Sequence, residues 1–262
     1  MFIEGSLIAE YFYVGLGILV LASFVAGYID AIAGGAGLIL IPAFIMTGLP
    51  PQLALGQEKL VSTIGTVAAI KNFMKSSAIV WAIVPAGIAS ALLGAYIGAK
   101  AILWLPTETI TYVILGMLPL GLLATLFKGK MQDGGEDRPL KKSAPAVSLT
   151  CLVVGFYDGF FGPGTGSFFI IALCLLNNLN LLKASATSKI FNFASNIGAF
   201  VAFCIAGQMA FVIGIPMVIA SLIGNHLGSN HAIQSDGKII KKALMVTVMA
   251  MMATLCYKLL TA

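Results

Sequence analysis

The sequence predicts an all-α polytopic membrane protein, and two observations carry that prediction. Of the 262 residues, 59% are hydrophobic and only 10% are charged, whereas soluble domains carry about 25% charged residues. The hydrophobic residues also come in long runs, several of which approach the roughly 20 residues that a helix needs to cross a bilayer. We therefore expect several spanning helices, with the lipid bilayer around them.

Ten apolar segments follow one another along the chain. The second and the seventh are short, and each has glycines on one side and a polar turn, TGLPP or NNLN, on the other. At about 1.5 Å per residue they reach about 20 Å, less than the hydrocarbon core. We expect them to be half-helices, re-entrant segments or spans completed by their neighbours. The segments are residues 9–33, 36–48, 57–74, 78–104, 109–127, 144–161, 164–178, 184–205, 208–229 and 239–260.

Three blocks of sequence recur in the same order in the two halves of the chain. FVAGYIDAIAGGAG matches LVVGFYDGFFGPGTG, IVPAGIASALLGAYIGAKAI matches GIPMVIASLIGNHLGSNHAI, and between these blocks Lys59 lies opposite Lys189. An internal duplication explains all three. The long polar stretch FKGKMQDGGEDRPLKKSAP divides the copies. We predict a first transmembrane repeat over 1–127, a cytoplasmic linker over 128–143 and a second repeat over 144–262.

The distribution of basic residues predicts that the two repeats are inverted. If all five segments of each half cross, with the N-terminus outside, only Lys59, Lys100 and Lys258 of the 15 Lys and Arg residues lie on the outer side. If the short segments did not cross, Lys71 and Lys75 would lie opposite the basic linker. The positive-inside rule favours the first arrangement. An odd number of crossings inverts the second half, as in many secondary transporters.

A glycine-rich turn follows an aspartate at matching positions of both halves. Asp30 precedes GGAG and Asp158 precedes GPGTGS. Backbone N–H groups at the start of a helix form an anion site together with the helix dipole. In the alternative, the glycines only allow close helix packing and the aspartates cap those N–H groups. The candidate substrate-binding residues of the turns are Gly34, Gly35, Gly37, Gly162, Gly164, Thr165, Gly166 and Ser167.

Lysines near small polar residues provide a second set of candidates. A cation beside hydroxyls and amides suits a small oxyanion. Alternatively, Lys59 neutralises the adjacent Glu58, or both lysines extend to the interface. Because a bare carboxylate repels an anion, we assign Asp30, Asp158 and Glu58 to proton coupling or loop ordering. The substrate-binding candidates of this set are Lys59, Ser62, Thr63, Lys189, Asn192 and Asn196.

Several function classes find no support in the sequence. There is no nucleotide-binding loop, catalytic triad or set of Cys and His at metal-ligating spacing, so we expect no enzyme activity, cofactor or metal. The formal charge is +5, but the basic residues lie mostly between apolar segments. Membrane topology explains them better than nucleic-acid binding does.

The stretch GYIDAIAGGAGLILIPAF, with its partner GFYDGFFGPGTGSFF and the IAS…GxxxG block, resembles the sulfite exporter TauE/SafE family of membrane transporters over about residues 12–260. The resemblance implies a permease for small sulfur-containing anions, sulfite or organosulfonates, in the bacterial inner membrane. It also implies a secondary transporter, driven by an ion gradient rather than by ATP. Inverted halves that rock would expose the site alternately to each side.

The sequence leaves two other functions open. The intramembrane acids also suit a permease for a neutral or cationic solute, and a non-transporting membrane scaffold is the third hypothesis. The Gly-x-x-x-Gly sequences, Gly94/Gly98 and Gly224/Gly228, are typical of helices that pack closely. They serve either a homodimer or packing within one chain.

Overall fold

The computed structural model describes residues 2–110, 112–114, 116–117 and 144–235. The predicted linker 128–143, the segment 239–260 and the end of the segment 109–127 lie outside these residues. The helices of the described part are α1 (Leu7–Glu10), α2 (Phe12–Ala33), α3 (Ala36–Thr47), α4 (Pro51–Lys75), α5 (Val84–Leu103), α6 (Ala144–Phe160), α7 (Thr165–Asn177), α8 (Leu181–Ile205) and α9 (Phe211–Gln234). A 3-10 turn (Trp81–Ile83) precedes α5, and a further helical stretch starts at residue 107.

The predicted all-α fold is confirmed, and α2 to α9 each correspond to one predicted segment. The largest differences are at α4, which begins at Pro51 rather than at residue 57, at α5, which begins at Val84 rather than at residue 78, and at α9, which ends at Gln234 rather than at residue 229. Proline suits the first position of a helix because its missing N–H would have no partner there. The TGLPP turn therefore belongs partly to α4.

Four helical stretches are long and apolar enough to cross a membrane, counted over the described residues. They are Phe12–Ala33, Trp81–Leu103, Leu181–Ile205 and Phe211–Gln234. Large apolar side chains cover their outer faces, among them Leu21, Leu93 and Ile223, all more than half exposed. Such a surface suits lipid rather than water. The chain is a multi-pass membrane protein.

The two short segments form short helices, as predicted. Helix α3 has 12 residues and α7 has 13, so each is about 18–20 Å long. Gly48, which caps the C-terminus of α3, has a φ of +102° that favours glycine, and Asn178, which caps α7, is also in the left-handed region. Whether these two helices cross the bilayer stays a prediction.

The helices of the two halves pack against each other crosswise. Helix α9 of the second half packs on α2 and α4 of the first, and α5 of the first half packs on α6 and α8 of the second. Helices α4 and α8 meet in the middle. Because α2 corresponds to α6, α4 to α8 and α5 to α9, every one of these contacts has its counterpart. The halves are interlocked rather than side by side.

The Gly-x-x-x-Gly sequences form the closest of these crosswise contacts. Gly94 and Gly98 of α5 lie against the backbone of α6 at Leu152 and Phe156. In the equivalent contact, the two glycines of α9, Gly224 and Gly228, lie against the backbone of α2 at Phe24 and Tyr28. These glycines therefore serve packing within the chain. A homodimer stays a prediction that no longer has support from them.

Replacing one of these glycines should destabilise the fold. A Cβ added at Gly98 would clash with the carbonyl oxygen of Phe156, whereas a Cβ added at Gly17 in α2 would meet nothing within 4 Å. We expect Gly98→Ala to lower the free energy of unfolding by about 1–3 kcal/mol, because overpacked contacts cost that much. Gly17→Ala is the matched control and should leave stability equal or slightly higher. Thermal denaturation of both purified variants in detergent checks this; equal stability would contradict the packing role.

Candidate functional site

Two helix breaks meet at the centre of the molecule. Helix α2 ends at Ala33 and α3 starts at Ala36, with Gly34 between them at φ +71°. In the second half, Gly162 and Gly164, both with positive φ, separate α6 from α7. A Cβ placed on Gly34 would lie 2.5 Å from the Cα of Gly166, so a side chain at Gly34 would force the breaks apart.

Hydrogen bonds join the two breaks and shape them. The Ser167 hydroxyl of the second half donates to the carbonyl oxygens of Ala33 and Gly34 in the first, at 3.3 Å each. Thr165 Oγ1 donates to the Gly162 carbonyl at 2.5 Å. Both side chains therefore have structural roles in this arrangement.

Asp30 orders the first break and carries an ion pair. Its Oδ1 accepts the backbone N–H groups of Gly35 at 3.0 Å and Ala36 at 3.4 Å, which are free at the start of α3. Its Oδ2 lies 2.9 Å from Nζ of Lys189 in α8, and the same ammonium also donates to the Asp30 carbonyl oxygen. Both of the roles that the sequence left open for Asp30 are compatible with this geometry, and loop ordering is visible in it.

Lys59 of the first half makes the equivalent ion pair with the aspartate of the second half. Its Nζ lies 2.8 Å from Oδ1 of Asp158 in α6 and 3.3 Å from Oδ1 of Asn196 in α8. Asp158 Oδ2 accepts the hydroxyl of Ser195 at 2.6 Å. Each lysine is thus neutralised by the aspartate of the other half.

Glu58 is a third carboxylate at this centre. Its Oε2 lies 3.0 Å from Lys59 Nζ, so the contact between these adjacent residues that the sequence suggested as an alternative is present, with the ammonium shared between Glu58 and Asp158. Its Oε1 accepts the Ser62 hydroxyl at 2.6 Å.

The five charged side chains are all buried. Lys59, Lys189 and Asp158 are 1% exposed, and Asp30 and Glu58 are 4% exposed. A buried charge without a partner costs several kcal/mol, and the cost is recovered only through good pairing and hydrogen bonding. The alternative in which the lysines extend to the interface is wrong, because both ammonium groups end inside the protein.

A small cavity lies between the carboxylates and the breaks, with room for about one water molecule. Six predicted site residues do not line this cavity. The Thr63 hydroxyl donates to a carbonyl of its own helix, and the two lysines contact the aspartates beside the cavity. The other three, Gly34, Gly164 and Ser167, lie in the helix breaks. The predicted site residues that line the cavity are Asp30, Gly35, Gly37, Glu58, Ser62, Asp158, Gly162, Thr165, Gly166, Asn192 and Asn196.

Two residues that support the site were not among the candidate site residues. Ser195 holds Asp158, and it lies one turn after Asn192 on the same helix, so helical spacing could have indicated it. Tyr157 donates its hydroxyl to the Pro163 carbonyl at 2.7 Å and so supports the second break. No pattern in the sequence indicated that contact.

Removing one charge of a buried lysine–aspartate pair should lower the stability of the fold far more than removing both charges. We expect Lys189→Met to lower the free energy of unfolding by about 3–5 kcal/mol, because Asp30 keeps its charge in a buried place. In the double variant D30N/K189M the asparagine oxygen can still accept the Gly35 N–H, so most of that loss should be recovered.

Unfolding in detergent measures this difference. Lys71→Met removes an exposed lysine and serves as the control that should leave stability unchanged. A double variant as unstable as Lys189→Met would show that the loss of stability does not come from an unpaired charge on Asp30.

Comparisons with known proteins identify the family of this chain. The family model described as "Sulfite exporter TauE/SafE" matches residues 19–255. A probable membrane transporter protein of Haemophilus influenzae is 38% identical over 248 residues, which cover 91% of this chain and 92% of the relative. One from a Sinorhizobium species is 36% identical over 240 residues, covering 90% of each chain.

A further relative and the solved structures complete the comparison. The probable membrane transporter protein YfcA of Escherichia coli is 32% identical over 244 residues, which cover 92% of this chain and 90% of the relative. No solved structure matches significantly. The family model matches most of the chain, and the three relatives are 32–38% identical to it. The protein therefore belongs to the sulfite exporter TauE/SafE family.

Proposed function

We propose that this protein is a secondary transporter of small sulfur-containing anions, sulfite or organosulfonates, in the bacterial inner membrane. The observation that carries the proposal is the pair of buried lysines where the two helix breaks meet. Ionisable residues inside a membrane protein are costly and usually functional. The name of the family supports the substrate class, and the names of the relatives, all bacterial, support a membrane transporter rather than an enzyme or a scaffold.

The centre offers the groups that an oxyanion needs. The first turns of α3 and α7 both start at the cavity, at Ala36 and at Thr165, so their helix dipoles favour a negative ligand. In the closed arrangement the Ala36 N–H donates to Asp30 and the Thr165 N–H to the Gly162 carbonyl. The two ammonium groups and the amides of Asn192 and Asn196 supply further donors. A bound anion would take the place of an aspartate at a lysine.

Helix directions support the inverted repeat that the sequence predicts. Successive glycines of α9 contact successive turns of α2, so these two helices run parallel, and the equivalent contacts make α5 parallel to α6. Gly87 and Leu92 of α5 contact Phe191 and Gly198 of α8 in the same order, which makes α5 parallel to α8 as well. If α8 and α9 both cross the membrane, their five-residue connection makes them opposite. Helix α2 then runs opposite to its equivalent, α6.

Inverted halves suit transport by alternating access. The cavity has room for about one water molecule, and sulfite is several times larger, so the arrangement described here is closed around the site. Opening requires α4 and α8, which carry the lysines, to move away from the aspartates of α6 and α2. Breaking the two pairs in turn would open the site to one side and then to the other.

One observation favours a second candidate, a permease for a cationic solute. Three carboxylates face two lysines at this centre, which leaves an excess of negative charge among the described residues. Competition separates the two candidates, since only an anion site is blocked by other small oxyanions.

Sulfite flux into proteoliposomes tests the proposal. We expect saturable uptake by the native protein and at least about a ten-fold lower rate in D30N/K189M, because a charge-assisted contact contributes about 1.5–3 kcal/mol. Lys71→Met is the matched control for loss of a positive charge and should transport normally.

Two results would contradict the proposal. Folded native protein that moves no sulfite or organosulfonate would refute the substrate class. Undiminished flux in D30N/K189M would show that the buried lysine does not serve the anion.

A further inference from the structure

Glu58 breaks the symmetry of the site. Asp30 corresponds to Asp158 and Lys59 to Lys189, but the position equivalent to Glu58 in the second half is Ser188, whose hydroxyl donates to the carbonyl of Ser185. The fold therefore repeats without an acid at this position. Glu58 is therefore an acid that only one half contains. It is buried, at 4% exposure, although the other half folds with a serine in its place.

The charges at the centre do not balance with Glu58 ionised. Asp30 and Lys189 form one neutral pair, whereas Lys59 faces both Asp158 and Glu58. Among the residues that the structure describes, one negative charge is left over, in a place with room for about one water molecule. An uncompensated buried charge is so costly that such groups are commonly neutralised instead.

Hydrogen bonding indicates which carboxylate is neutral. Both oxygens of Asp30 and both oxygens of Asp158 accept donors, as ionised carboxylates do. Glu58 Oε2 lies 3.0 Å from Lys59 Nζ and must share that ammonium with Asp158 Oδ1, which is nearer at 2.8 Å. Its other oxygen lies 2.6 Å from the Ser62 hydroxyl, which can accept a proton as readily as donate one.

We propose that Glu58 is the proton-binding residue that couples anion transport to the proton gradient, and that it is protonated in the closed arrangement. This proposal rests on the proposed function above. The charged and polar groups within contact distance of Glu58 are Lys59 and Ser62 on its own helix, and Asp158 on α6 shares the Lys59 ammonium. Asp30 also lines the cavity and is paired with Lys189.

The coupling follows from the charge at Lys59. When Glu58 takes a proton from water on one side, Lys59 keeps Asp158 as its only anionic partner, and a second negative charge can approach it. The added proton offsets one negative charge of the entering anion. On the other side the anion leaves, water enters the open cavity, and the hydrated Glu58 can then release its proton.

Infrared difference spectroscopy of the purified protein detects the proton on Glu58 directly and requires no transport measurement. The native protein should show the carbonyl stretch of a protonated carboxylic acid at neutral pH, and Glu58→Gln should lack it. Glu108→Gln, which replaces an exposed glutamate, is the control that should keep it. Asp158→Asn should also lose the band, because Glu58 is then the sole anionic partner of Lys59. A native protein without the band, or a Glu58→Gln variant that retains it, would overturn the proposal.

Sulfite flux in proteoliposomes provides the second readout. A pH gradient should accelerate uptake by the native protein, and Glu58→Gln should exchange sulfite while ignoring the gradient. A variant that remains proton-driven, or native flux that follows a sodium gradient instead, would overturn the coupling role. If the native protein moved no sulfite, the proposed substrate would fall, while the infrared band would still decide whether Glu58 holds the proton.

Discussion

Two buried lysines, each neutralised by an aspartate of the opposite half, impose the constraint on which the rest of the structure depends. An ammonium group at this depth needs a partner with good geometry, and Lys59 and Lys189 find theirs 99 and 159 residues away in the chain. To bring these groups together, both helix breaks must meet at the centre. Helix α9 must then pack on α2 and α5 on α6 closely enough to require glycines.

The same interaction that closes the site makes it suited to transport. A carboxylate occupies the place beside each lysine that an anion would take, so binding can exchange one negative partner for another. The cost of separating an ion pair inside the protein is then partly offset by the new contact. Glu58 adds a third acid at one lysine only, and this makes the two otherwise equivalent halves chemically different.

The sequence predicted most of the helices and most of the residues at the centre, because apolar runs, glycine turns and repeated blocks are local signals. Asp30, Lys189 and Asn192 stood out for that reason. The crossed pairing could not be predicted, since Lys59 has an adjacent acid, Glu58, and its partner Asp158 lies in the other half. Tyr157 was missed because its role depends on one carbonyl in the folded turn. Such contacts exist only after the halves have interlocked.

Accessibility of the central cavity from the two membrane faces is the most direct test of this account. Asn192, which lines the cavity, would be replaced by cysteine in a protein whose four native cysteines are removed. Its reaction with a membrane-impermeant thiol reagent would be measured from each side of the membrane. The account predicts slow modification without substrate, and faster modification from both sides once sulfite is added. Reaction from one side only, unchanged by sulfite, would contradict a site that closes around crossed ion pairs and opens alternately.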